Sequence, residues 1–152
     1  MANFTVDGIG DVCASFAAIA RIPDDVKSEM LNAEADVIVK AQSAAAPRRT
    51  GTLSRSIKKK KPMLNYDGGY IVITPSGTHH TSKSGSSRYR NRGTRSGGVT
   101  TNAEVAFIHE YGAPGRNIPG TQWMLKANEA NADKAVNAAA TIHDKWLTKS
   151  GL

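Results

Sequence analysis

The chain has 152 residues, one cysteine and a formal net charge of +7, the size of one ordinary domain with a single core; the lone Cys13 excludes an intramolecular disulfide and any multi-cysteine metal site, as expected of a reducing compartment or a particle assembled in one. The most apolar early stretch, VCASFAAIARI, is too short and alanine-rich to cross a bilayer and has no basic region before it, so neither a signal peptide nor a membrane span is predicted. Residues 48–61 hold seven basic and no acidic side chains and residues 75–102 five and none, leaving 8 Lys+Arg against 13 Asp+Glu elsewhere: a mildly acidic body with two basic attachments, suited to a polyanion, an acidic protein or a lumen carrying nucleic acid, unless the runs are merely solvated.

In chain order, NFTVD (residues 3–7) reads as a short strand ended by Gly8 and Gly10, and DVCASFAAIAR (11–21) as a short, largely buried helix. Pro23 breaks the chain. Asp24 and Asp25 then supply a cap and first-turn negative charge for a second helix, whose apolar stripe runs Val26, Met30, Ala33, Val37, Ala41, Ala44, widened by Ile38 and Ala45. Pro47 ends it. In PRRTGTLSRSI, Thr50 and Gly51 make a turn, with Gly51 suited to positive φ, and Leu53 and Ile57 at i,i+4 predict a single helical turn leading into extended chain. Asn65 to Gly69 is a strong turn signal followed by the β-branched YIVIT, so residues 57–63 and 70–74 are predicted to pair as a hairpin.

Residues 76–102 have almost nothing with which to build a core and read as a long, basic, mobile loop within a single 1–152 domain. AEVAFIHEY (103–111) is predicted as a third strand, with Val105, Phe107 and His109 on one face and Glu104, Ala106, Ile108 and Glu110 on the other. The last element, a helix from about Thr121 to Lys149, presents Leu125, Ala132, Val136, Ala139 and His143 on one side, with Ile142 and Trp146 extending it. Pro119 and a capping Thr121 lead into it, and Trp123 anchors its start as a core residue. The expected class is α+β: a small antiparallel sheet of about three to four strands packed against two long helices, with a long basic loop.

The chemistry-bearing residues are sparse. His109 and Glu110 adjoin, but neighbours on a strand point to opposite faces and cannot serve one substrate atom. A zinc motif of the HExxH type would need a second histidine at position 113, which is Ala, and His79, His80 and His143 have no metal-ligand spacing to one another or to His109. There is no GxSxG, Cys13 lies in an apolar helix where a thiolate is disfavoured, and GSSRYRNRG lacks the Lys-Ser/Thr ending of a phosphate loop. An enzyme is therefore the weakest class and no cofactor or metal is expected. SSRYRNRGTR interleaves arginine with Tyr89 and glycine as arginine-rich segments that order on nucleic acid do, so a non-specific nucleic-acid-binding module is the alternative. Lys83, Arg88, Arg90, Arg92 and Arg95 of the loop, with Lys58, Lys59, Lys60 and Lys61, are its candidate contacts to DNA or to an acidic protein. Glu110 is expected to close a strand-to-loop corner, accepting hydrogen bonds from backbone or from Arg48, Arg49 or Arg116.

Two motifs occur in order: Ala46, Pro47, Thr50, Gly51, Leu53, Ser56 and Ile57, then Ala106, Glu110, Tyr111, Gly112, Pro119, Trp123 and Met124. With a helix on either side, across roughly residues 24–148, they resemble the tail-component family of siphophages named for the tenth gene product of an HK-series lambdoid phage. The resemblance implies a structural, non-catalytic virion protein of the phage neck or tail end, acting in tail completion or head-tail joining. Its partners would be further copies of itself in a ring around the DNA path, expected to be a hexamer, together with neighbouring neck and tail proteins and the genomic DNA in the channel. It would be assembled in the host cytoplasm, with no membrane involved. The sequence departs from the family pattern in its long basic loop and in GAPGRNIPGTQW, where a shorter proline-containing segment is common.

Overall fold

The computed structural model describes residues 22–48, 51–65, 68–80 and 99–151; the strand and helix expected over residues 3–21, and Cys13 with them, lie outside these. Helix α1 spans Asp24–Ala45. Pro23 occupies its N-cap position without a side-chain hydrogen bond, so Asp24 and Asp25 contribute first-turn charge rather than the expected cap. After Ala46, whose N–H closes the last turn on the Gln42 carbonyl, Pro47 stops the helix as expected.

The buried residues of α1 are Val26, Ala35 and Gln42, whereas Ala44 and Ala45 of the expected stripe are exposed. The helix touches several neighbours at once, the terminal helix and the β-hairpin among them, so its buried surface is broader than a single stripe. The terminal helix α4, Trp123–Lys149, lies along it. Gln42 Nε2 donates to Asn128 Oδ1 at 2.9 Å, joining the C-terminal end of α1 to the N-terminal end of α4, so the pair runs antiparallel. On α4 the buried residues are Trp123, Ala127, Ala135 and Ala139. This corrects part of the expected face: Ala139 is buried as expected, but Leu125, Ala132 and Val136 point into solvent. Alanine has little side-chain entropy to lose and allows close backbone approach, so packing chooses the alanine side over the larger aliphatics.

Gly51, at φ 68°, turns the chain into helix α2, Thr52–Ser56. Leu53 and Ile57 are buried as expected, and with Ala46, Ala106 and Trp123 they form the core cluster, bordered by Val39, Ile73, Val105 and Met124. Strands β1 (Ile57–Lys59) and β4 (Ile73–Pro75) pair antiparallel, as do β2 (Met63–Asn65) and β3 (Gly68–Tyr70). These are two arms of the expected hairpin. Between Lys59 and Met63 one arm has Lys60, Lys61 and Pro62 where the other has only Ile71 and Val72, a bulge at the proline that has no N–H to offer the ladder.

Strands β5 (Thr78–His80) and β6 (Val99–Thr101) also pair, so the base of the expected loop is a two-stranded ladder. Residues 81–98 lie outside the described residues. The segment expected as a third strand is a helix instead, α3, Asn102–Tyr111. Its start is a capping box: Thr101 Oγ1 accepts from the Glu104 N–H, and the Glu104 carboxylate accepts from the Thr101 N–H at 2.9 Å. Asn102, Ala106 and Glu110, four apart, are its buried face. Short strands β7 (Gly112–Ala113) and β8 (Ile118–Pro119) then pair across a 3-10 turn, Pro114–Arg116. The α+β class and the two long helices stand, but the described strands pair two by two rather than forming one sheet of three to four strands.

Candidate functional site

The junction between α3 and α4 holds most of the second motif. Glu110 sits on the last turn of α3, not at a strand-to-loop corner, and is only 5% exposed. Its carboxylate reaches the first turn of α4: Oε2 accepts from the Met124 N–H at 2.8 Å and Oε1 from the Leu125 N–H at 3.1 Å. These are N–H groups that a helix start leaves without intrahelical partners. Gln122, at the N-cap position of α4, has φ 52° and contributes no side-chain cap, so a residue twelve positions upstream does the capping. A carboxylate at a helix N-terminus is also favoured by the peptide dipoles.

The reverse satisfaction holds at the end of α3. The Thr121 N–H and hydroxyl both donate to the His109 carbonyl, each at 2.9 Å, and the Gln122 N–H donates to the Glu110 carbonyl at 3.1 Å. Thr121 therefore closes α3 instead of capping α4 as expected. The two chains touch at glycines. Gly112 has φ 83°, and a Cβ there would lie 2.6 Å from the Ile118 carbonyl oxygen; one on Gly120 would lie 2.6 Å from the Glu110 carbonyl oxygen. Only glycine fits either position. Pro119 belongs to β8, paired with Gly112, rather than to the start of the helix. Trp123 is core, as expected, and its Nε1–H is buried with no hydrogen-bond partner among the described residues.

Of the Glu110 partners weighed from sequence, the backbone donors are the ones found. Arg48 instead donates to the Ala44 carbonyl at 3.4 Å, Arg116 is exposed on the 3-10 turn, and Arg49 lies outside the described residues. With both carboxylate oxygens occupied by helix N–H groups, Glu110 is a structural clamp. Among the described residues no group of three or more His, Cys, Asp or Glu is arranged to hold a metal ion, and none of the described helices is long and apolar enough to cross a membrane.

The clamp fixes one side of α3 and leaves another in solvent. Phe107 and Tyr111, one turn apart, are 60% and 68% exposed with ring centroids 4.8 Å apart. Sequence reasoning placed Tyr111 in the motif but overlooked Phe107 as its neighbour, because a strand would have put them on a shared face without making them a turn apart. Among the lysines, Lys58, Lys60 and Lys61 are exposed, while Lys59 folds back onto α1, 2.8 Å from Asp36 and donating to the Asn32 carbonyl. Thr50, Lys83, Arg88, Arg90, Arg92 and Arg95 lie outside the described residues.

Residues 11–112 match the family described as bacteriophage HK97-gp10, putative tail-component. The chain belongs to this family. The matched part takes in α1, α2, the hairpin and α3 and ends at Gly112, so the first motif and Ala106, Glu110, Tyr111 and Gly112 lie within it. The part of the junction supplied by Pro119, Trp123 and Met124 lies beyond it. No curated protein and no solved structure matches the chain. Membership in the HK97-gp10-like family makes this a structural bacteriophage tail component.

Proposed function

We propose that the protein completes the tail at its head-proximal end, forming a homo-oligomeric ring, expected to be a hexamer, that joins tail to head around the DNA path. The observation that carries this reading is the Phe107–Tyr111 pair. Large aromatic surface exposed on a rigidly clamped helix is what a protein interface uses as its anchor, since aromatics supply contact area at little cost in rotamer entropy. The clamp itself supports the same reading, because Glu110 and the two glycines hold the angle between α3 and α4 and so the presentation of that pair. In this account the protein acts by packing, with no active site. The basic stretch of Lys83, Arg88, Arg90, Arg92 and Arg95 faces the channel or an acidic neighbouring ring.

A phage lacking the protein tests the proposal. The expected lysate contains DNA-filled heads and separate full-length tails that join when purified protein is added. Joined particles in normal yield without it would overturn the reading.

A further inference from the structure

Two surfaces remain that the α3–α4 junction does not use. On the hairpin, Ile57 is buried and Lys59 turns in toward Asp36, so Lys58 and Lys60 face outward; Met63 and Tyr70, directly opposed across the β2–β3 ladder, are exposed with them. Among the described residues, Lys58, Lys60 and Lys61 form no ion pair. The outward side of α4 carries Leu125, Glu129, Ala132 and Val136 in 4-3-4 spacing, with Asp133 one turn beyond Glu129. All are exposed, and among the described residues Glu129 and Asp133 form no ion pair. One surface is thus apolar beside a basic edge; the other is apolar beside an acidic edge of Glu129 and Asp133, at whose N-terminal end Lys126 is held back on the Thr121 carbonyl.

Their dimensions agree. From Leu125 to Val136 a helix rises about 16 Å, and from Lys58 to Met63 the arm, bulged at Pro62, covers at most about 16 Å. A lysine edge lying along Glu129 and Asp133 would also bring Met63 and Tyr70 within reach of the aliphatic stripe. We infer that the hairpin of one copy docks along the outer face of α4 of a second copy. This rests on the ring reading and names its contact. Because the two surfaces differ, the contact is heterologous and repeats head to tail, closing a ring when the rotation permits. The apolar centre supplies adhesion; the charges set register and exclude like-charged approach.

Charge reversal tests it through the mass of the purified protein, measured by light scattering during size exclusion over a range of concentrations. All four substituted side chains are exposed and unpaired, so circular dichroism should show the fold unchanged. The wild type is expected to self-associate with concentration, and more weakly as salt rises from about 0.05 to about 0.5 M, where screening shortens. K60E/K61E alone and E129K/D133K alone are each expected to associate at least roughly tenfold more weakly, since each carries two like-charged surfaces. An equimolar mixture should recover the wild-type mass, because every contact in an alternating assembly is then complementary.

A wild type that stays monomeric at every concentration, as it would if residues 1–21 of the same chain covered α4, overturns the inference. So does an unchanged mass in either variant, or a mixture that recovers nothing. A K60E/K61E protein that keeps its mass but loses retention on DNA overturns it too, and makes the hairpin a nucleic-acid surface. The head-joining reading fails on a separate observation, normal joining in phage lacking the protein, so the two failures are distinguishable.

Discussion

Replacing Glu110 by glutamine perturbs a single group whose partners are known. The carboxylate accepts from two backbone N–H groups of the α4 first turn, at 2.8 and 3.1 Å, while 5% exposed. Glutamine keeps one acceptor oxygen and presents an NH2 group to the other N–H, so one charge-assisted bond is lost and a buried donor is left unpaired. A hydrogen bond to a charged group contributes about 1.5–3 kcal/mol, and that range is the expected cost of E110Q. Removing both acceptors in E110A should cost about 3–6 kcal/mol on the same scale, a large share of the about 5–15 kcal/mol that stabilises a typical domain. Urea unfolding followed by circular dichroism reads both, the midpoint falling while the slope stays near the wild-type value. In a chain of this size the E110Q change corresponds to a drop in Tm of roughly 3–12 °C. An E110Q protein within about 0.5 kcal/mol of wild type would refute the clamp, because surface changes away from any special contact fall in that band.

Further substitutions probe the neighbouring features. G112A and G120A should each destabilise by about 1–3 kcal/mol from overpacking, with roughly 1–2 more at Gly112 for its positive φ; G115A, whose Cβ would meet nothing within 4 Å, serves as the control and should stay near wild type in the same unfolding assay. T101A removes one half of the capping box and should cost about 1 kcal/mol, read by thermal unfolding. A135L should destabilise by about 1–3 kcal/mol by prising α4 from α1, whereas V136S, on the exposed side of the same helix, should leave unfolding of the dilute, monomeric protein within about 0.5 kcal/mol of wild type.

Much of the first half of the described fold is legible in the sequence because local rules act there without competition. Pro23 and Pro47 bracket α1, Gly51 marks the positive φ before α2, and Asn65 to Gly69 marks the hairpin reversal. AEVAFIHEY misleads because Val105, Phe107 and His109 alternate as a strand would, while the buried face of the real helix, Asn102, Ala106 and Glu110, is mostly polar. The signal that would have decided it is Thr101-x-x-Glu104, a capping box. On α4, hydrophobicity favours Leu125 and Val136, whereas the interface with α1 selects Ala127, Ala135 and Ala139, because closeness of backbones matters there more than side-chain area. A carboxylate with backbone partners was foreseeable at Glu110. That those partners belong to the next helix depends on a meeting of two chain ends, which no local pattern encodes.

Membership in the HK97-gp10-like family makes the protein a bacteriophage tail component, and the Glu110 clamp with the exposed aromatic pair is what we propose it uses to hold surfaces in place at the tail's end. The measurement that bears most directly on this is antibody labelling of purified tailed particles, viewed by electron microscopy. Label confined to the head-tail junction is the predicted result. Intact, infectious particles that carry none of the protein would contradict the account.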